Sequence, residues 1–179
     1  AVVYENGKMI ENPFKKWSDI NSSLPEIDID VLAPPPSSGT RDAFVELVLH
    51  DVCKSEYKMD KKTYKENCSA LREDGFVTEV GENDNLIIEK LTDNSERFGI
   101  FGYSFLDQNR DRVQGSFVDG IEPSFDNIAD GSYKVSRPLY FYVKKEHIGV
   151  VPGIEDYTDY FMSLSIEGGP LEDAGLIPN

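Results

Sequence analysis

The sequence predicts an α/β fold, and three observations carry that prediction. Apolar runs of strand length alternate along the chain with runs whose apolar residues recur at helical spacing. One run, Phe98-Gly99-Ile100-Phe101-Gly102-Tyr103, is apolar without alternation, as in a strand covered on both faces. The stretch Pro34-Pro35-Pro36-Ser37-Ser38-Gly39-Thr40-Arg41-Asp42 joins a period-two pattern to a helical one, a strand-to-helix junction. The expected sheet is mixed and mostly parallel, flanked by helices.

The elements follow in order. Ile27, Ile29 and Val31 alternate with Asp28 and Asp30, a half-buried strand. After the prolines, Phe44, Leu47 and Val48 share a helical face, with Val52 extending it. Tyr64, Cys68 and Leu71 form another helical face that ends at Asp74-Gly75. Phe76 to Val80 reads as a short strand. Asn83 or Asp84 caps a helix carrying Leu86, Ile87 and Leu91 and closed by Asp93-Asn94-Ser95. Arg97 to Phe105 reads as the buried strand, its two glycines permitting close backbone approach. Gln114 to Val118 is a further strand candidate, and Pro123 to Gly131 holds a brief helix. Arg137 to Val143 reads as a strong strand, and Ile154, Tyr157, Phe161 and Leu164 mark a last helix from about Gly153 to Ser165.

With 179 residues, 39% of them hydrophobic, the chain can bury one core, or a large lobe with an appendage. Thirty-three acids against 18 bases give a net charge of −15, which argues against nucleic acid or an anionic membrane as partner. Any bound anion must then be held by local hydrogen bonds and dipoles. No run approaches the roughly 18 to 20 apolar residues of a membrane span. The start at Ala1 lacks a signal-peptide pattern, so the chain reads as a mature product or a piece of one.

Chemistry concentrates at the junction. The first N–H groups of a helix lack internal partners and sit at the positive end of its dipole, so Ser38, Gly39 and Thr40 read as a cradle for an oxyanion. Arg41 opposes that dipole, and Phe44 and Val45 give it no acidic partner at helical spacing. A bound oxyanion would relieve it through the planar guanidinium. The alternative is an ordinary Ser N-cap with Arg41 reaching a distant carboxylate.

Other motifs are incomplete. Asp107 to Asp111 begins like a calcium loop, but Arg112 and Val118 occupy the glycine and glutamate positions. His50 and His147 are the only histidines, and no Gly-x-Ser-x-Gly elbow accompanies them, so no metal, cofactor or catalytic set is expected. Cys53 and Cys68 are the only cysteines; they form either a disulfide, in an oxidising compartment, or two free thiols.

Four segments, in order, carry a resemblance: Asn12-Pro13-Phe14 with Trp17 to Asn21, Pro34 to Phe44, Phe98 to Leu106, and Pro123 to Val143. Together they resemble the periplasmic phosphate-binding proteins of phosphate-specific ABC transporters, which are type II periplasmic binding proteins. The resemblance implies a two-lobed protein that closes on inorganic phosphate and delivers it to a membrane permease. It implies a non-enzymatic, periplasmic monomer. Phosphate contacts carry over to Ser38, Gly39 and Thr40. Many members also have an arginine four residues before the serine and an acid two before it; here those positions are Pro34 and Pro36, which makes Arg41 the substitute guanidinium. Such proteins begin with a first-lobe segment bearing its own phosphate loop, and nothing like it precedes Trp17. Residues 1–134 are therefore expected to form the second lobe, and 135–179 a return strand and helix that pack on the first. The competing classes are a recognition module for another oxyanion or a protein, and a phosphoester hydrolase.

Overall fold

The computed structural model describes residues 2–5, 8–50, 53, 60–166 and 168–178. They fall into two compact units, Ala1–Gln114 and Gly115–Asn179. The expected helical extension at Val52 lies outside the described residues.

The first unit opens with an antiparallel hairpin, β1 (Val2–Glu5) and β2 (Lys8–Glu11), which the sequence reading did not anticipate. A short helix, α1 (Trp17–Ile20), follows. The core of the unit is a three-stranded parallel sheet of order β4-β3-β5, with β3 (Val31–Ala33) in the middle, β4 (Val77–Glu79) on one side and β5 (Phe98–Gly99) on the other. Val31 is in register with Val77 and Phe98. An α/β architecture with a parallel sheet is thus present, and all three described strands of this sheet run the same way.

Two strand expectations shift. The ladder begins at Val31, because Ile27 and Ile29 instead bond back to the Lys15–Trp17 segment, Trp17 N donating to Ile27 O at 3.1 Å and Ile29 N to Lys15 O at 2.8 Å. The buried run expected over 97–105 is strand only at Phe98–Gly99, then turns into α5 (Tyr103–Asp107) with Gly102 at its N-cap. The cause is the neighbour: Ile100 N still reaches Leu32 O at 2.9 Å, but β3 then runs into three prolines that have no N–H to donate.

Helices cover the sheet. α4 (Asp84–Asp93) is capped by Asn83, whose side chain accepts from Asn85 N. It packs Ile87, fully buried, with Leu32 and Val80, flanked by Leu91 and Phe101. Gly99 is where α4 and β5 touch: a Cβ there would lie 2.8 Å from both Ile87 Cγ2 and Leu91 Cδ1. α2 (Gly39–Phe44) runs directly into a π-helical turn, Val45–Leu49, so the predicted helix carries a wider turn in its middle. α3 (Lys61–Cys68), capped by Asp60, ends before Leu71. Cys53 and Cys68 are joined in a disulfide, which decides between the two sequence alternatives.

In the second unit Asp119 and Gly120, with φ of 52° and 80°, make a two-residue turn that pairs Val118 with Ile121 in both directions. The strand expected at 114–118 reduces to that bridge. α6 (Phe125–Ala129) is capped by Ser124, and α7 (Ile154–Ser163) starts after Gly153. α8 (Pro170–Asp173) begins with proline in its first turn. Residues 137–143, expected to be a strand, belong to no ladder among the described residues. Phe141 meets Phe161 of α7 edge-on at 5.0 Å, while Leu139, Tyr140 and Tyr142 are 75%, 72% and 89% exposed. Apolar composition suits a strand, but a strand exists only beside another.

Candidate functional site

In the parallel sheet of the first unit, β3, β4 and β5 present their carboxyl ends at one edge, and α2, α4 and α5 begin just beyond them. This is the edge at which open parallel sheets gather ligands.

The turn after β3 is shaped by its own backbone. Pro34 is fully buried, and Ser38 N donates to Pro35 O at 2.9 Å, closing a tight turn over Pro35–Ser38. Ser38 then caps α2, its Oγ accepting from Thr40 N at 3.2 Å and its carbonyl from Asp42 N at 3.1 Å. Ser37 and Gly39 are exposed, Ser38 and Thr40 half buried, and a Cβ built at Gly39 would meet nothing within 4 Å. The turn is therefore open, as an anion cradle requires, although the Ser38 amide is committed to Pro35 and that of Thr40 is bonded, at long range, to its cap.

Arg41 does not extend into solvent. It is 8% exposed, and its Nη1 donates to Pro34 O at 3.0 Å and to Glu79 Oε1 at 3.1 Å. The distant carboxylate of the simpler alternative therefore exists: Glu79, the last residue of β4. The side chain also ties the end of the loop to its beginning. Sequence spacing holds no trace of Glu79, since 38 residues separate the pair.

Two other acids line this edge. Glu82 Oε1 accepts the Ser37 hydroxyl at 2.6 Å. Asp84, buried at the first position of α4, accepts Gly102 N at 3.1 Å through Oδ2, linking the α4 and α5 starts. Burial pushes its carboxyl up from the usual range, partly opposed by the Gly102 N–H. The sequence offered Asp84 only as a possible cap; Asn83 takes that role.

The remaining candidates lie elsewhere. Asp107 is paired with Arg110, Nε to Oδ1 at 2.9 Å, in the segment that begins like a calcium loop. His50 shares a hydrogen bond of 3.0 Å with Ser69 Oγ and packs on Tyr64. No group of three metal-ligating side chains converges among the described residues.

A model of the PBP superfamily domain matches residues 3–165. The chain belongs to the PBP superfamily. Within it, the chain is 31% identical over 175 residues to the phosphate-binding protein PstS of Staphylococcus haemolyticus, a match covering 95% of this chain and 48% of that protein. It is 32% identical over 168 residues to the Staphylococcus epidermidis phosphate-binding protein PstS, covering 91% and 44%. Among solved structures, a possible phosphate binding protein from Planctomyces limnophilus superposes with a TM-score of 0.56 at 24% identity, covering 85% of this chain and 49% of that one. PstS from Borrelia burgdorferi gives 0.50 at 16%, covering 83% and 52%. These superpositions bear on fold. The chain spans about half the length of the relatives it matches, and no described helix is long and apolar enough to cross a membrane.

Proposed function

We propose that this chain is the phosphate-loop lobe of an extracytoplasmic phosphate-binding protein, which holds inorganic phosphate for delivery to an ABC transporter permease. The observation that carries this reading is the open, Ser38-capped turn at the carboxyl edge of the parallel sheet, in a chain similar to proteins named for binding phosphate. Ser38 and Thr40 supply hydroxyls on one side of the ion, Gly39 lets it approach the main chain, and Arg41 supplies positive charge behind them. The protein is a periplasmic monomer and performs no catalysis.

Residues 1–134 act as the second lobe, and 135–179 return to a first lobe. The bare run Leu139–Tyr142, apolar and exposed, supports that assignment because it is surface suited to burial against another body.

Half a cleft cannot enclose and desolvate a dianion, so phosphate affinity for these 179 residues is weak. Titration with phosphate, followed by calorimetry and amide chemical shifts, is expected to give millimolar binding with the largest shifts at Ser38 to Arg41. Micromolar binding would contradict the half-site reading. Shifts confined to other segments would contradict the site. Turnover of a chromogenic phosphoester would favour the hydrolase.

A further inference from the structure

Resting on the phosphate reading, the geometry points to Glu79 as an internal competitor that occupies the Arg41 guanidinium until an oxyanion displaces it. Arg41 sits in the first turn of α2, where the helix dipole disfavours a cation, and it is almost wholly buried. A buried guanidinium must be paired. Its two acceptors differ in kind. The Pro34 carbonyl is fixed main chain within the same loop, 3.0 Å from Nη1. The Glu79 carboxylate, at 3.1 Å, ends a side chain that is half exposed at the open end of β4. An anion arriving at the turn displaces the second more readily than the first.

The surroundings sharpen the contest. Glu82 accepts the Ser37 hydroxyl, and Asp42 neighbours Arg41 in sequence, so the turn presents little net positive charge while Glu79 stays in place. A tethered carboxylate acts as a high local concentration of competing anion. A monovalent ion gains too little from the guanidinium to displace it. A tetrahedral dianion brings more charge and more acceptor oxygens, and among the described residues Arg41 uses only Nη1, which leaves its fork geometry for such a ligand. Glu79 thereby sets a threshold that selects multivalent oxyanions, and Pro34 keeps the side chain in place during the exchange.

The test is Glu79→Gln in the 179-residue chain, titrated with inorganic phosphate and, in parallel, sulfate. Both are expected to bind about fivefold tighter, equivalent to about 1 kcal/mol, with an unchanged fold by circular dichroism. Glu79→Asp, which draws the carboxylate back from Nη1, is expected to give a smaller gain. Glu82→Gln removes the same charge from the same edge without touching Arg41, and is expected to give less than half the effect. An equal gain from Glu82→Gln would overturn the inference, since charge removal alone would explain it. Weaker phosphate binding with tighter sulfate binding would overturn it too, making Glu79 the acceptor for the protonated phosphate oxygen. No anion binding by any of the proteins would overturn the phosphate reading itself, and this inference with it.

Discussion

Gly99→Ala is the sharpest test of how α4 seats on the sheet. The added methyl would lie 2.8 Å from Ile87 Cγ2 and from Leu91 Cδ1, and 3.4 Å from Leu91 Cγ, so two neighbours must each retreat by about 0.6 Å to reach that last, already tight, distance. Leu91 Cδ1, at the end of a flexible and partly buried side chain, can give way in part, but Ile87 cannot. Ile87 is fully buried, and Cγ2 is attached at its β-carbon, so that methyl moves only if χ1 rotates or the helix shifts. Overpacking of this kind costs about 1–3 kcal/mol, offset by about 0.5–1 kcal/mol from replacing a strand glycine, for a net loss near 1–2 kcal/mol. In a unit of roughly a hundred residues that lowers Tm by about 5–12 °C. Urea denaturation of Gly99→Ala, Leu91→Ala and the double variant provides the assay. Leu91→Ala removes both Cγ and Cδ1, so the alanine at 99 is expected to cost less than half as much in its presence, a coupling of about 1 kcal/mol. An unaltered midpoint for Gly99→Ala, or the same penalty in both backgrounds, would show that β5 and α4 are not packed as described.

Three further outcomes are expected. Gly39→Ala has no protein atom to strike, so stability should stay within about 0.5 kcal/mol of wild type; weakened phosphate binding by the folded variant would then report crowding of the ligand, whereas a large drop in Tm would show the turn is closed. Asp84 binds its proton more tightly folded than unfolded, so its ionised form destabilises at neutral pH and that penalty fades as pH falls through the raised pKa. Asp84→Asn, whose amide oxygen still accepts Gly102 N–H, should be at least as stable as wild type at about pH 7, with its advantage shrinking as pH falls through the raised pKa; an advantage that grew on acidification would reverse the assignment. Asp19, Asp60, Asp74 and Asp130 have the opposite sign, since hydrogen bonds hold their carboxyls low, and their stabilisation is lost as pH falls through the ordinary carboxylate range to the lowered pKa values. Replacing Cys53 and Cys68 by serine opens a loop of sequence separation 15 and is expected to cost about 3 kcal/mol, read as a lower urea midpoint and lost protection from proteolysis over 53–68.

What the sequence made legible was what neighbouring residues decide between themselves. Ser38 and Asn83 cap their helices because a short polar side chain reaches an N–H two residues ahead, and that needs no tertiary information. Asp93-Asn94-Ser95 was readable as the end of a helix for the same reason, Asn94 Oδ1 accepting from Glu96 N at 3.0 Å. The centre of the site was not local. The partner of Arg41 comes from a strand 38 residues away, and the acid linking α4 to α5 is bonded across 18. Leu139 to Val143 shows the converse limit: its residues favour a strand, but pairing is a property of two segments, and composition describes one. The end of β5 was hidden because it is set by prolines on another strand.

The position of β3 has a temporal consequence. It is the middle strand, yet both of its neighbours are synthesised later, so Val31 waits for Val77 and then for Phe98 before its main chain is satisfied. Loop closures of that span are slow compared with helix formation. During translation the triple-proline turn is therefore made early but clamped late, when Glu79 reaches Arg41. The turn proposed to hold an anion is thus completed only once that long-range pairing is in place.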